Sequence, residues 1–210
     1  MTKEKEEYSL EEYLDYERKL GDYMASNSKQ IVFNDSFVHA IMIVSSIFAY
    51  AQRNKNTQVC MYCGNFSLFR DAARKKLDGI KESLRPDTIE DTKFGLWEQF
   101  NPYEKLITSL KDYLNGGGTL NVIVENDISD IVEEDVWLTL GKYVQGNKLL
   151  FKRIGVPLGL NHFIVVGNCY RRENNDVEKT ALGCFNDEKT SVALKKNFQV
   201  LSLLSDNCKI

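Results

Sequence analysis

The stretch Gly159-Leu-Asn-His-Phe-Ile-Val-Val-Gly-Asn-Cys-Tyr-Arg-Arg-Glu-Asn174, followed after a polar insert by Thr180-Ala-Leu-Gly-Cys-Phe-Asn-Asp187, decides the reading of this chain. It holds one of the two histidines and two apolar runs of strand length, so it reads as a hairpin with polar residues that a purely structural hairpin does not require. Side chains alternate along a strand, which puts His162, Ile164 and Val166 on one face and Asn161, Phe163 and Val165 on the other. On the following strand Cys169, Arg171 and Glu173 share a face. A guanidinium can hold a phosphodiester while a carboxylate orients an imidazole, so Arg171 and Glu173 beside His162 form a candidate phosphate-handling group. The same spacing also fits an exposed hairpin with a cross-strand ion pair and a satisfied histidine.

Outward from the hairpin, strands alternate with helices. A helix is predicted from Glu188 to about Leu204. Upstream lie a strand at Lys148 to Arg153, a helix at Asp135 to Gln145 stopped by Gly146-Asn147, and a strand at Thr119 to Glu125. Glu125 and Asp127 stand at the carboxyl end of that strand, where an open α/β sheet presents ligand groups, although helix capping is the commoner use of such residues. Asn101-Pro-Tyr-Glu104 opens a helix that ends at Asn115-Gly-Gly-Gly118. Arg85 to Phe100 reads as loop with an aromatic group, Phe94, Trp97 and Phe100, packing on the body or serving as a lid or partner patch. Arg70 to Leu84 is a helix with Arg70, Arg74, Lys75 and Lys76 on its exposed side, a solvated face or a contact for phosphate or an acidic partner. Gln58 to Gly64 is a buried strand whose Cys60 and Cys63 point to opposite faces, which argues for core thiols over a ligand pair.

The helix at Phe37 to Gln52 is apolar around most of its circumference, and His39 in its first turn is expected to be neutral. Residues 4–25 form an amphipathic helix that covers its own domain or docks a second subunit. These elements divide the chain into an N-terminal helical arm, residues 1–28, and an α/β domain, residues 29–210. The expected fold is a mixed, largely parallel sheet covered by helices on both faces.

With 210 residues, 43% hydrophobic, the chain can bury a sizeable core. Its formal net charge of −3 offers no bulk positive field, so nucleic-acid affinity is expected to be weak. The most apolar window, Phe37 to Ala51, is too short to span a bilayer and contains His39 and two serines. The acidic, polar N-terminus does not read as a secretory signal, which leads to the expectation of a cytoplasmic protein without membrane association. Five cysteines, mostly within apolar runs, suit reduced core thiols.

A histidine-bearing strand after two βα units, an apolar run into a turn, and Gly183-Cys184-Phe185-Asn186 before the last helix resemble the phospholipase D-like superfamily. That family's pattern is His-x-Lys, an Asp five residues after the Lys, and Gly-Ser-x-Asn. Matching Ile164 to Gly167 with the family's apolar run puts Leu160 at the nucleophile, His162 at the lysine and Gly167 at the aspartate. Placing His162 at the nucleophile leaves Ile164 and Cys169 in the other two positions. Neither register keeps the triad, whereas Gly183 and Asn186 match and Cys184 replaces serine.

The resemblance implies a phospholipase D-like fold, and a phosphohistidine mechanism needing two histidines, hence a homodimer. Loss of the lysine and aspartate implies a degenerate domain that acts by binding a protein partner or a phosphate-bearing ligand. The alternative is a metal-independent nuclease or phosphodiesterase rebuilt from His162, Arg171, Glu173 and Asn186. No metal or cofactor is expected in either case.

Overall fold

The computed structural model describes residues 8–88, 93–174 and 181–208. Helix α1, Leu10–Ala25, begins at a capping box in which the Glu12 amide donates to Ser9 Oγ and the Ser9 amide donates to the Glu12 carboxylate. It buries Leu10, Tyr13 and Leu20 against α2, Phe37–Arg53, in the same hydrophobic cluster as the sheet. Fully burying a leucine such as Leu20 contributes about 2 kcal/mol. The docking face proposed for this helix is therefore occupied within the chain; residues 4–7 of the expected helix lie outside the described residues.

Ser36 caps α2, accepting from the His39 amide at 3.0 Å. This helix is apolar nearly all round because it lies on the sheet with α1 and α5, Pro102–Asn115, packed against it. The Gly116-Gly-Gly118 stop after α5 requires glycine: a Cβ on Gly118 would sit 2.3 Å from the Tyr113 ring, and Gly117 has φ +97°. Helix α3 covers Asp71–Ser83 and α6 Asp135–Gln145, and a short α4, Phe94–Gln99, lies inside the segment expected to be loop. Trp97 of α4 is buried and donates from Nε1 to the Lys81 carbonyl at 2.8 Å, and Phe100 stacks on Tyr13, so the aromatic group packs on the body.

Among the described residues eight strands form the sheet: β1 (Val32–Asn34), β2 (Gln58–Cys63), β3 (Thr119–Val124), β4 (Leu149–Arg153), β5 (Phe163–Val166), β6 (Cys169–Glu173), β7 (Ala181–Cys184) and β8 (Asp206–Asn207). Their order across the sheet is β1-β7-β6-β5-β2-β3-β4-β8. Only β2 with β3 and β3 with β4 pair in parallel; the other five pairings are antiparallel. This corrects the expectation of a largely parallel sheet. Helical crossovers, which parallel neighbours need, end at β4. Beyond it, β5 returns beside β2 through residues 154–162 without a helix, and Gly167-Asn168 then turns β5 directly into β6, which fixes antiparallel neighbours.

The two faces differ. Val59, Met61, Leu120, Val122, Leu149, Phe151, Ile164 and Val166 point into the large core under α1, α2, α3, α5 and α6. Tyr62, Ile123, Phe163, Val165 and Tyr170 point the other way, where α7, Glu188–Leu203, is the covering helix among the described residues. Helices thus lie on both faces, but the second is only partly sheltered, and a cavity of about 420 Å³ opens between α7 and strands β3 and β4. Cys63 faces the first core and Cys60 the second, with burial pushing their thiols up to about 12 and about 11. No helix among the described residues is long and apolar enough to cross a membrane.

Candidate functional site at the open end of the hairpin

The hairpin turn lies at one end of β5 and β6, and the polar cluster lies at the other. Ile164 pairs with Arg171, and one step further the Glu173 amide donates to the His162 carbonyl at 2.8 Å, so His162 and Glu173 stand directly opposite on one face. Their side chains meet, with His162 Nδ1 3.0 Å from Glu173 Oε2. The other ring nitrogen, Nε2, lies 3.7 Å from Oε2 of Glu125, the residue that follows β3. Glu125 is nearly buried. Its Oε1 accepts from the Tyr62 hydroxyl and from the Leu158 amide, the latter at 3.0 Å. Tyr62, next to last in β2, packs edge-on against the His162 ring.

These contacts set the charge states. The hydrogen bond to Glu173 raises the His162 pKa above the ordinary imidazole value against the opposing effect of burial, and Glu125 adds to the rise. Burial opposes ionisation of Glu173, but His162 and Arg171 outweigh it and hold the carboxyl below the usual range. Burial likewise opposes ionisation of Glu125, and the Tyr62 hydroxyl, the Leu158 amide and His162 outweigh it. Burial and the neighbouring carboxylate push the Tyr62 phenol upward. The arrangement is an imidazole between two carboxylates, a setting that favours its protonated form.

Arg171 is on the same face, buried, with Nε donating to Asn34 Oδ1 at 2.8 Å and Nη1 3.9 Å from Glu173 Oε1. Three of the four residues expected to converge, His162, Arg171 and Glu173, are therefore together. Asn186 is not. It follows β7 at the hairpin-turn end, where the Asp187 amide bonds the Asn168 carbonyl, and its amide donates to the Asn27 carbonyl at 3.1 Å. The four residues of β5 alone put about 13 Å between those ends. Strand β6 runs as far as Glu173, and residues 175–180, which include the polar insert, lie outside the described residues.

The place of Glu125 at a strand end makes it a candidate from sequence, whereas its partner Tyr62 lies within the strand Gln58 to Gly64, which reads as buried. The available signal was a tyrosine buried at the end of a strand, since a buried phenol usually finds an acceptor. Asp127 is used locally, accepting from the Ser129 amide and pairing with Arg153 at 3.0 Å. The basic group on α3 is partly neutralised within the chain: Arg70 pairs with Asp130 and Glu134, Arg74 with Asp135, and the exposed Lys76 lies over the Phe37 ring. His39 is buried beneath Tyr8, Tyr13 and Tyr16, its Nδ1 3.0 Å from Asp35.

No protein-family model matches the chain, and no curated protein matches it either. Among solved structures it is similar to TrmBL2, an archaeal chromatin protein described as showing a novel mode of DNA binding, at 8% identity and a TM-score of 0.55 over 95% of this chain and 64% of that one. A weaker likeness, TM-score 0.46 at 9% identity, is to Nuc, a phospholipase D family member from Salmonella typhimurium, covering 86% of this chain and 97% of that one. The chain thus spans 64% of the chromatin protein's length, and what the two share at this identity is a fold.

Proposed function

We propose that this chain is a binding or regulatory domain on a phospholipase D-like scaffold that has lost its catalytic set, and that it acts through a protein partner, either a second copy or a different chain. The observation that carries this reading is the setting of His162. A nucleophilic imidazole needs an unprotonated nitrogen aimed at the substrate, yet both nitrogens here face carboxylates that favour the protonated form. The same carboxylates repel a phosphodiester, and the one nearby guanidinium is buried beside Asn34 and Glu173. Pairing of Arg70 and Arg74 with acidic side chains, together with the net charge of −3, favours a protein over nucleic acid as partner, although the archaeal structure is that of a DNA-binding protein.

Incubating the purified chain with single- and double-stranded DNA, with RNA and with a chromogenic phosphodiester tests this directly. No hydrolysis above background is expected. Cleavage that persists in chelator and disappears in His162→Ala would instead establish the metal-independent nuclease.

A further inference from the structure

On the face of the sheet covered by α7, two hollows of about 420 and about 580 Å³ flank the carboxyl-terminal half of that helix. They share Gln58, Phe198 and Ser202, so they form one trough that runs from the turn at Gly167, past the start of β2, to Asn207 in β8. Its lining is unlike the rest of the chain. The sequence holds 30 acidic residues, yet no aspartate or glutamate lines either hollow. Two lysines do. Lys152 Nζ donates to the carbonyl and hydroxyl oxygens of Ser202 at 3.0 and 2.9 Å, and Lys195 Nζ donates to the Gly167 carbonyl at 2.7 Å. Both are half-buried, and among the described residues neither pairs with a carboxylate. An ammonium carries three donors, so each keeps at least one for a further acceptor. Between the lysines the trough offers amides and apolar surface. Asn121, half-buried in the middle of β3, is of a type that strands disfavour, and it lines the trough with Gln58 and Gln199. Leu150 and Leu203 on its margin are 40% and 86% exposed.

We infer that this trough binds an extended segment of a partner protein in which two carboxylate side chains flank an apolar one, the carboxylates on Lys152 and Lys195 and the apolar side chain over Leu150 and Phe198. Charge sets the first requirement, since two ammonium groups with no acid in the lining attract carboxylates. Spacing sets the second. Lys195 and the Ser202 that Lys152 reaches stand roughly 10 Å apart along α7, a distance that an extended peptide covers in about three residues. The amides fit the main chain, because an asparagine or glutamine side chain offers the same donor and acceptor as a peptide unit. Nucleic acid fits less well. It brings a phosphate with every nucleotide against two lysines, and its bases stack on open aromatic faces, whereas Phe198 is only 8% exposed. The inference rests on reading the chain as a domain that acts through a protein partner, and it names that partner's chemistry.

The test is calorimetric titration of the full chain with the capped peptide acetyl-Ala-Glu-Leu-Ala-Glu-Ala-amide, with versions carrying Gln or Lys in place of both Glu residues, and with a single-stranded oligothymidylate of about twelve nucleotides. The acidic peptide is expected to saturate with a Kd on the order of 100 μM. The Gln version should bind at least about tenfold more weakly, and the Lys version should not saturate. Leu150→Glu, at an exposed position, puts an acid into the trough and should weaken binding of the acidic peptide by about tenfold with the circular dichroism spectrum retained. Failure of the acidic peptide to saturate the unaltered protein overturns the inference, as does equal binding of the Gln version or unchanged affinity in Leu150→Glu. Tighter binding of the oligonucleotide, lost in Leu150→Glu, would assign the trough to nucleic acid, and self-association lost in the same variant would assign it to a second copy; either result overturns the inference. Hydrolysis of a phosphodiester lost in His162→Ala would sink the binding-domain reading by a separate assay, leaving the peptide titration to be judged on its own.

Discussion

The chain's two histidines each sit about 3.0 Å from a carboxylate, but they occupy different kinds of place. The His39 side chain is 4% exposed, roofed by the tyrosines of α1 and its approach, and stacked on Tyr16 with ring centroids 3.8 Å apart. The His162 side chain is 32% exposed, has a second carboxylate at its other nitrogen and borders a cavity. A histidine and acid pair thus indicates little by itself. Aromatic burial makes the first part of the core, and an open, multiply charged setting makes the second a candidate site.

That contrast is broken most directly by removing each ring in turn. His39→Ala empties a packed slot and should cost about 3 kcal/mol. His162→Ala, at a partly solvated ion pair, should cost about 1 kcal/mol or less. Urea denaturation of the two variants measures the difference, and equal costs would erase the distinction between core and site. An effect between those two is expected from Tyr62→Phe, which deprives the nearly buried Glu125 of a hydroxyl donor and should cost about 1.5 kcal/mol. Tyr16→Phe is its counterpart near His39. There the hydroxyl bonds the neutral Phe33 carbonyl at 2.8 Å, so the loss should be about 0.5 to 1 kcal/mol. If the Tyr62 variant proves no less stable than the Tyr16 variant, Glu125 is not held by its phenol.

Much of this molecule was legible in its residues, and the reasons are local. Alternation alone placed His162, Arg171 and Glu173 on one face, because side-chain direction along a strand has period two whatever the strand pairs with. Caps and stops such as Asn101-Pro102 and Gly116-Gly-Gly118 located helices for the same reason. Strand direction was not legible. It depends on which strands become neighbours, and the insertion of β5 between β2 and β6 is set by packing across the whole sheet. Asn186 was placed with the site through the match of Gly183 and Asn186 to a family pattern, but the length and course of β5 and β6 carry it to the opposite end. Tyr62 and Glu125 lie 63 positions apart, and only the parallel register of β2 with β3 brings them together.

The effect of pH sharpens the role of His162. Its pKa is raised in the folded chain, so its stabilisation is complete below the unfolded imidazole value and is lost as pH rises through the folded value. Glu125 and Glu173 are lowered, so theirs is present above the unfolded carboxylate value and is lost as pH falls through the folded values. The cluster therefore stabilises most between about pH 5 and 6.5. The stability difference between the unaltered chain and His162→Ala, expected to stay under about 1 kcal/mol, should be largest there and shrink by pH 9. A difference that grows with alkalinity would mean that the imidazole is held neutral.

The smallest effect belongs to Asn186, and its smallness is informative. The residue has the right identity for a phosphate-holding amide in the family pattern, so if the hairpin ends were coupled, removing it should disturb His162. Geometry argues otherwise. The amide bonds a backbone carbonyl at Asn27, in the turn after α1, while the carboxylates that raise the His162 pKa, Glu173 and Glu125, lie at the far end of β5 and β6. Asn186→Ala is therefore expected to change stability by less than about 0.5 kcal/mol, because it removes one exposed hydrogen bond. It should leave the NMR titration of His162 unmoved. A shifted His162 midpoint in this variant would bring Asn186 back into the site and require the two ends of the hairpin to approach each other in solution.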